Sequence, residues 1–167
     1  VHGFVKDNRI DVIVNCAAYT AVDKAEDNQE LCDKLNHVAP GYLAAAAEAC
    51  GAALIQVSTD YVFDGTGHIP YTEEAATCPD SVYGFTKLAG EQAVMKYCSR
   101  AMIIRTAWLY SIYGNNFVKT MLRLGRERET LGVVFDQIGT PTYANDLARA
   151  IFAAVNRGIV PGVYHFS

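Results

Sequence analysis

A chain of 167 residues suits one domain with a core of its own, and 51% hydrophobic against 19% charged residues argues against a disordered segment. A formal charge of -4, with basic residues scattered except for a short cluster from Arg123 to Arg128, argues against nucleic acid or an anionic membrane as partner. Five cysteines, an odd count with no CxxC spacing, argue against a disulfide framework or a zinc site and fit reduced thiols in a cytoplasmic protein.

The chain opens on Val1, without a methionine or a signal-peptide pattern, which suggests a piece of something longer. No apolar run reaches the ~18 residues of a membrane span. Residues 4–10 read as the end of a helix. Ile10 to Ala18 (IDVIVNCAA) is rich in β-branched residues and reads as a buried parallel strand. Val22 to Cys50 turns helical, with Gly51 as its C-terminal cap. Pro40 either sits in the first turn of a second helix or bends a single long one. Ala53 to Thr59 (ALIQVST) is the next strand, followed by a turn-rich loop from Asp64 to Ser81. Then come a helix at Val82–Ser99, a strand at Ala101–Ala107, and a helix at Asn115–Arg128 capped by Asn115 or Asn116. A short strand at Leu131–Phe135, a helix at Ala144–Asn156 closed by Gly158, and a strand from Val163 complete the series.

Strands alternating with helices predict an α/β fold, a doubly wound parallel sheet with helices on both faces. Ligands of such sheets bind beyond the carboxyl ends of the strands. Three segments leave strand ends here: Ala17–Thr20, Ser58–Tyr61 and Thr106–Trp108. Their side chains are expected to share one crevice.

Within that frame Tyr83-Gly-Phe-Thr-Lys87 carries the chemistry. Tyr83 and Lys87, four apart on a helix, share a face. A free phenol titrates near ~10, and an adjacent ammonium favours its anion, so the lysine is expected to tune the tyrosine toward neutral pH. Thr59 would bring a hydroxyl to the same place. Hydroxyl, phenol and ammonium together suit a carbonyl oxygen that is oriented and protonated. A lone Tyr-x3-Lys spacing is usually structural; the strand-end Ser58-Thr59 upstream changes that weighting.

The segments Asn15–Glu26, Ser58-Thr-Asp-Tyr-Val-Phe-Asp-Gly65, Tyr83–Lys87, Arg105–Tyr110 and Gly139–Tyr143 with Asp146-Leu147-Ala148 resemble the extended short-chain dehydrogenases/reductases, within them the dTDP-4-dehydrorhamnose reductase family. The resemblance implies a Rossmann-like domain and catalysis by Thr59, Tyr83 and Lys87. It implies cofactor contact by Ala18, Tyr19, Thr20, Tyr83 and Lys87, and substrate contact by Thr59, Asp60 and Trp108. It further implies NADPH or NADH as cofactor, a nucleotide-sugar substrate reduced at its 4-ketone to give dTDP-L-rhamnose, and admits a homodimer.

There is one departure. No G-x-x-G-x-x-G turn stands in these 167 residues, so the Rossmann-like sheet is expected to be incomplete at its N-terminal side. Residues 1–167 then read as a partial NAD(P)-binding domain with part of the substrate-binding region, inactive alone. NADPH and NADH are not distinguished, because that choice rests on residues outside the chain. A non-catalytic regulatory subunit resembling the β subunit of methionine adenosyltransferase shares the same motifs and stays open as an alternative. Another nucleotide-sugar enzyme of the group ranks below it, since Asp60 is followed by Tyr61 rather than by a second acid. His2, His37, His68 and His165 share no metal spacing, and no G-x-S-x-G supports hydrolase chemistry. Tyr61 and Phe63 read as packing residues. Asp23, Lys24 and Glu26 read equally as a solvated helix start or a substrate loop. Asn36 reads as a structural asparagine.

Overall fold

A computed structural model describes residues 1–134 and 136–167. Elements follow in the order α1 (His2–Asp7), β1 (Val12–Asn15), α2 (Val22–Ala25), α3 (Gln29–Asp33), a π-helical turn (Lys34–Val38) and α4 (Ala39–Cys50). Next are β2 (Ala53–Thr59), a 3-10 turn (Asp60–Val62), α5 (Val82–Tyr97), β3 (Ala101–Thr106), β4 (Leu109–Tyr110) and α6 (Phe117–Glu127). β5 (Thr142–Tyr143), α7 (Ala144–Arg157) and β6 (Gly162–His165) close the chain.

The α/β expectation stands. Four parallel strands form one sheet in the order β1-β2-β3-β6. β2 and β3 have a strand on each side and helices on both faces, so nearly all of their side chains are buried, the polar Gln56, Ser58, Thr59, Arg105 and Thr106 included. Alternate residues point to opposite faces. Leu54 and Ile103 meet Val5 of α1, Ala44 and Ala47 of α4 and Val94 of α5. Ile55, Met102 and Ile104 meet Leu147, Ile151 and Val155 of α7 on the other face. The register Thr59↔Thr106 brings the ends of β2 and β3 level, which sets the floor of the site.

Two sequence expectations need correction. The strand expected at Ile10–Ala18 covers Val12–Asn15 alone. Asn15 stops it: its side-chain oxygen accepts from the Ala17 amide at 3.2 Å, turning the chain out of the sheet, while its Nδ2 donates to Gln56 Oε1 at 2.8 Å. Val14 is 40% exposed, as expected of an edge strand with no neighbour on one side among the described residues. The strand expected at Leu131–Phe135 does not form over residues 131–134, and Phe135 lies outside the described residues. Short pairing occurs instead between β4 and β5, with Leu109 opposite Thr142.

Pro40 sits in the first turn of α4, the first of the two readings left open, and a π turn leads into that helix. The proline lacks the amide that would bond the Asn36 carbonyl, and the chain widens into the π turn just before it. The freed carbonyl faces α5 at Gly90, where any Cβ would overlap the Asn36 oxygen. Glycine there lets the two helices meet backbone to backbone. Gly51 closes α4 in the left-handed conformation, φ 69°. No helix among the described residues is long and apolar enough to cross a membrane.

Candidate active site

The carboxyl ends of β1, β2 and β3 open into a cleft of about 780 Å³. Ala18, Thr20, Thr59, Asp60, Tyr83, Lys87 and Trp108, seven of the eight residues expected at the site, line it. The eighth, Tyr19, does not: its ring packs with Ala25, Cys32 and Tyr83, away from the opening.

Thr59 ends β2 and caps the 3-10 turn, its Oγ1 accepting from the Tyr61 amide at 3.2 Å and donating to Asp60 Oδ1 at 3.0 Å. Tyr83 lies in the first turn of α5. That turn is capped by Ser81 Oγ, which accepts from the Gly84 amide at 3.1 Å, and by Glu26 Oε1, which accepts from the Val82 amide at 2.9 Å. Neither a solvated helix start nor a substrate loop, the two readings left open for Glu26, describes this cap on another helix. A Cβ at Gly84 would overlap the Tyr61 carbonyl oxygen, so glycine lets the helix start sit against the 3-10 turn. This brings the Tyr83 ring edge-on to Tyr61, with centroids 5.4 Å apart.

Lys87 follows Tyr83 by one turn of α5. Its Nζ donates to the Val57 carbonyl at 2.8 Å. Burial holds the ammonium down at about 8, with Glu91 opposing that fall. The Tyr83 phenol is pushed up to about 12, chiefly by burial; a hydrogen bond with Thr59 works against this, and Asp60, Tyr61 and Cys32 add to it. Burial dominates the phenol, so at neutral pH Tyr83 holds its proton, and Lys87 is mostly cationic. A neutral phenol is the form that can donate to a carbonyl oxygen. Burial also raises the Asp60 carboxyl, against the Thr59 hydroxyl and backbone amides.

Trp108 leaves β3 with φ 44°, a conformation rare for a large side chain and typical of functional sites. It is held there by the Thr142 amide, which donates to its carbonyl at 3.2 Å, and by Phe117, with ring centroids 5.8 Å apart.

Two features lie beyond the eight site residues read from sequence, the first an asparagine already read as structural and the second unread. Asn36, 2% exposed, sits on the π turn and fixes the loop after β1. Its Oδ1 accepts from the Tyr19 amide at 2.8 Å; its Nδ2 donates to the Tyr19 carbonyl at 3.1 Å and to Thr86 Oγ1 and Cys32 Sγ, both at 3.3 Å. Its place four residues before Pro40 was the available signal. The second is a wall of Asn115, Phe117, Met121, Val133 and Gln137 across the cleft. No motif marks these residues.

The cleft suits the nicotinamide-ribose end of a dinucleotide beside a sugar. Ser58 Oγ and Thr106 Oγ1, on residues lining it, are buried without a hydrogen-bond partner among the described residues, an arrangement that favours a polar ligand. No metal-holding cluster occurs among the described residues.

Comparison with known proteins gives a consistent result. The family model described as RmlD substrate binding domain matches residues 1–167. The chain is 53% identical over 165 residues to a dTDP-4-dehydrorhamnose reductase of Salmonella typhimurium, covering 96% of this chain and 55% of that protein. A crystal structure of such a reductase from Clostridium acetobutylicum superposes with TM-score 0.94 at 46% identity, over 99% of this chain and 59% of that one. One from Bacillus anthracis in complex with NADP superposes with TM-score 0.92 at 44% identity, over 99% and 59%. The chain thus spans about half the length of the curated relatives it matches.

Proposed function

The chain belongs to the RmlD substrate binding domain family, and from that premise we propose that it forms the catalytic part of an NAD(P)H-dependent dTDP-4-dehydrorhamnose reductase. The reaction is reduction of the 4-keto group of dTDP-4-dehydro-6-deoxy-L-mannose to dTDP-L-rhamnose. The observation that carries this reading is the convergence of Thr59, Tyr83 and Lys87 on one cleft with Trp108 at its rim.

In this reading the Thr59 hydroxyl orients the ketone oxygen and the neutral Tyr83 phenol protonates it. Asp60 and Trp108 contact the nucleotide sugar. Ala18, Thr20 and the Tyr19 backbone border the cofactor, and the Lys87 ammonium holds its ribose. NADPH or NADH, when bound, supplies the hydride. Residues 1–167 are then a partial dinucleotide-binding domain with part of the substrate site. A cytoplasmic setting fits five free thiols, and homodimerisation belongs to the same reading.

The test is a graft, in which this chain replaces the matching segment of the Salmonella typhimurium reductase. The graft is expected to consume NADPH or NADH only when the 4-keto sugar nucleotide is present. A folded graft that binds cofactor yet leaves the ketone unreduced would overturn the reading.

A further inference from the structure

α5 carries Tyr83, Lys87 and Glu91 at intervals of four, stacked on one face and all buried. The first two line the cleft. Glu91 lies a turn behind it, and no step of the proposed reaction uses it. Its carboxylate accepts three hydrogen bonds from Arg105 of β3: Nε donates to Oε1 at 3.0 Å and to Oε2 at 3.2 Å, and Nη2 donates to Oε2 at 2.7 Å. Glu91 is 4% exposed and Arg105 7%, which makes this the buried ion pair among the described residues, the others being exposed. Arg105 is fixed on its other sides as well. Its Nη1 lies 3.5 Å from His165 Nε2, the acceptor in a ring whose Nδ1 donates to the Tyr71 carbonyl at 3.0 Å. Its Cζ sits 5.2 Å from the centre of the Phe63 ring.

Two buried charges are a poor way to stabilise a fold, because apolar residues of similar volume do as well or better. Their placement suggests another purpose. The groups facing Lys87 are Tyr83 and Glu91 on its own helix, Cys16 after β1, Cys32 on α3, the Val57 carbonyl on β2 and, through Glu91, Arg105 on β3. Glu91 is the carboxylate in this set, and Arg105 prevents it from swinging away.

We propose that the Glu91–Arg105 pair positions Lys87: it pins the helical turn behind the lysine to β3 and supplies the counter-charge for its ammonium. The proposal rests on the role given to Lys87 above, but its test does not depend on turnover.

The test follows the Lys87 Cε chemical shift by NMR against pH in this chain, in Glu91→Gln and in the double variant Glu91→Gln/Arg105→Met, which leaves no charge buried alone. Glu91→Gln is expected to fold and to move the Lys87 midpoint down by ~1 unit, the lower end of what a nearby opposite charge supplies, and the double variant to move it down by less, because the Arg105 cation is lost with the carboxylate. Glu127→Gln, which removes the exposed partner of Arg123, is expected to leave the midpoint in place. An unchanged or raised Lys87 midpoint in folded Glu91→Gln, or in the double variant where only that one folds, would overturn the proposal, as would an equal shift in Glu127→Gln. Unfolding of both Glu91 variants would overturn it too, since the pair would then be an element of the fold itself. None of these outcomes touches the reductase reading, which stands or falls on turnover by the graft.

Discussion

Replacing Asn36 by alanine removes four hydrogen bonds from a site that is 2% exposed. Two of them satisfy the amide and carbonyl of Tyr19, and the contacts to Thr86 and Cys32 are longer and weaker. A net hydrogen bond is worth about 1 kcal/mol, and an orphaned buried group costs about 1–3 kcal/mol. Water entering from the exposed side of the loop offsets part of this, so the expected loss is about 2–4 kcal/mol. That is a large share of the roughly 5–15 kcal/mol that holds a domain together. Urea unfolding followed by circular dichroism measures it. Hydrogen exchange should show the Tyr19 amide losing protection well before the amides of β2. Asn28→Ala, which deletes one exposed bond to the Lys24 carbonyl, is the control and should stay within about 0.5 kcal/mol. A loss at Asn36 no larger than the control's, or a Tyr19 amide still protected, would refute the claim that Asn36 on the π turn fixes the loop after β1.

Other predictions follow from the same contacts. Gly90→Ala drives a methyl group into the Asn36 carbonyl and should cost about 1–3 kcal/mol in the same assay, whereas Gly125→Ala, with open space around it, should cost nothing. Lys87 binds its proton more weakly folded, at about 8, than unfolded, so its burial destabilises the chain below that pH and the penalty fades as pH rises toward the unfolded value. The stability gained by Lys87→Met over wild type should therefore shrink by about 3 kcal/mol between neutral pH and pH ~10.5. Tyr83, at about 12, runs the other way: the unfolded chain loses its proton first, so stability conferred by Tyr83 falls as pH rises from ~10 toward 12, and Tyr83→Phe should flatten that fall. Trp108→Ala in the graft should raise KM for the sugar nucleotide about 10-fold or more and leave cofactor affinity unchanged; the reverse pattern would remove Trp108 from the substrate site.

The fold was legible where burial is two-sided. β2 is found at Ala53–Thr59 as read, because helices cover both of its faces and its first residues, Ala53 to Ile55, are apolar on each. α5 and α6 begin where Ser81 and Asn116 offer side-chain caps. The extent of β1 was not legible, because Asn15 ends it through a turn that its residue type permits but does not require. Nor were β4 and β5, two residues each, whose pairing depends on the backbone reversal at Trp108. At the site, spacing correctly put Tyr83 and Lys87 on one face. Spacing carries no information about the Val57 carbonyl, which arrives from another element and accepts from one of the three N–H donors of the lysine. The wall at Asn115–Met121 and Val133–Gln137 has the same origin, in residues brought to the cleft by tertiary structure alone.

The central claim is that a protonated phenol at position 83 supplies the proton to the ketone. The decisive measurement is single-turnover reduction by the graft with Tyr83→Phe, alongside titration of NADPH binding to the same protein. The account predicts a rate lower by about 100-fold to 10,000-fold with cofactor affinity preserved. Reduction at the unmodified graft's rate would contradict it.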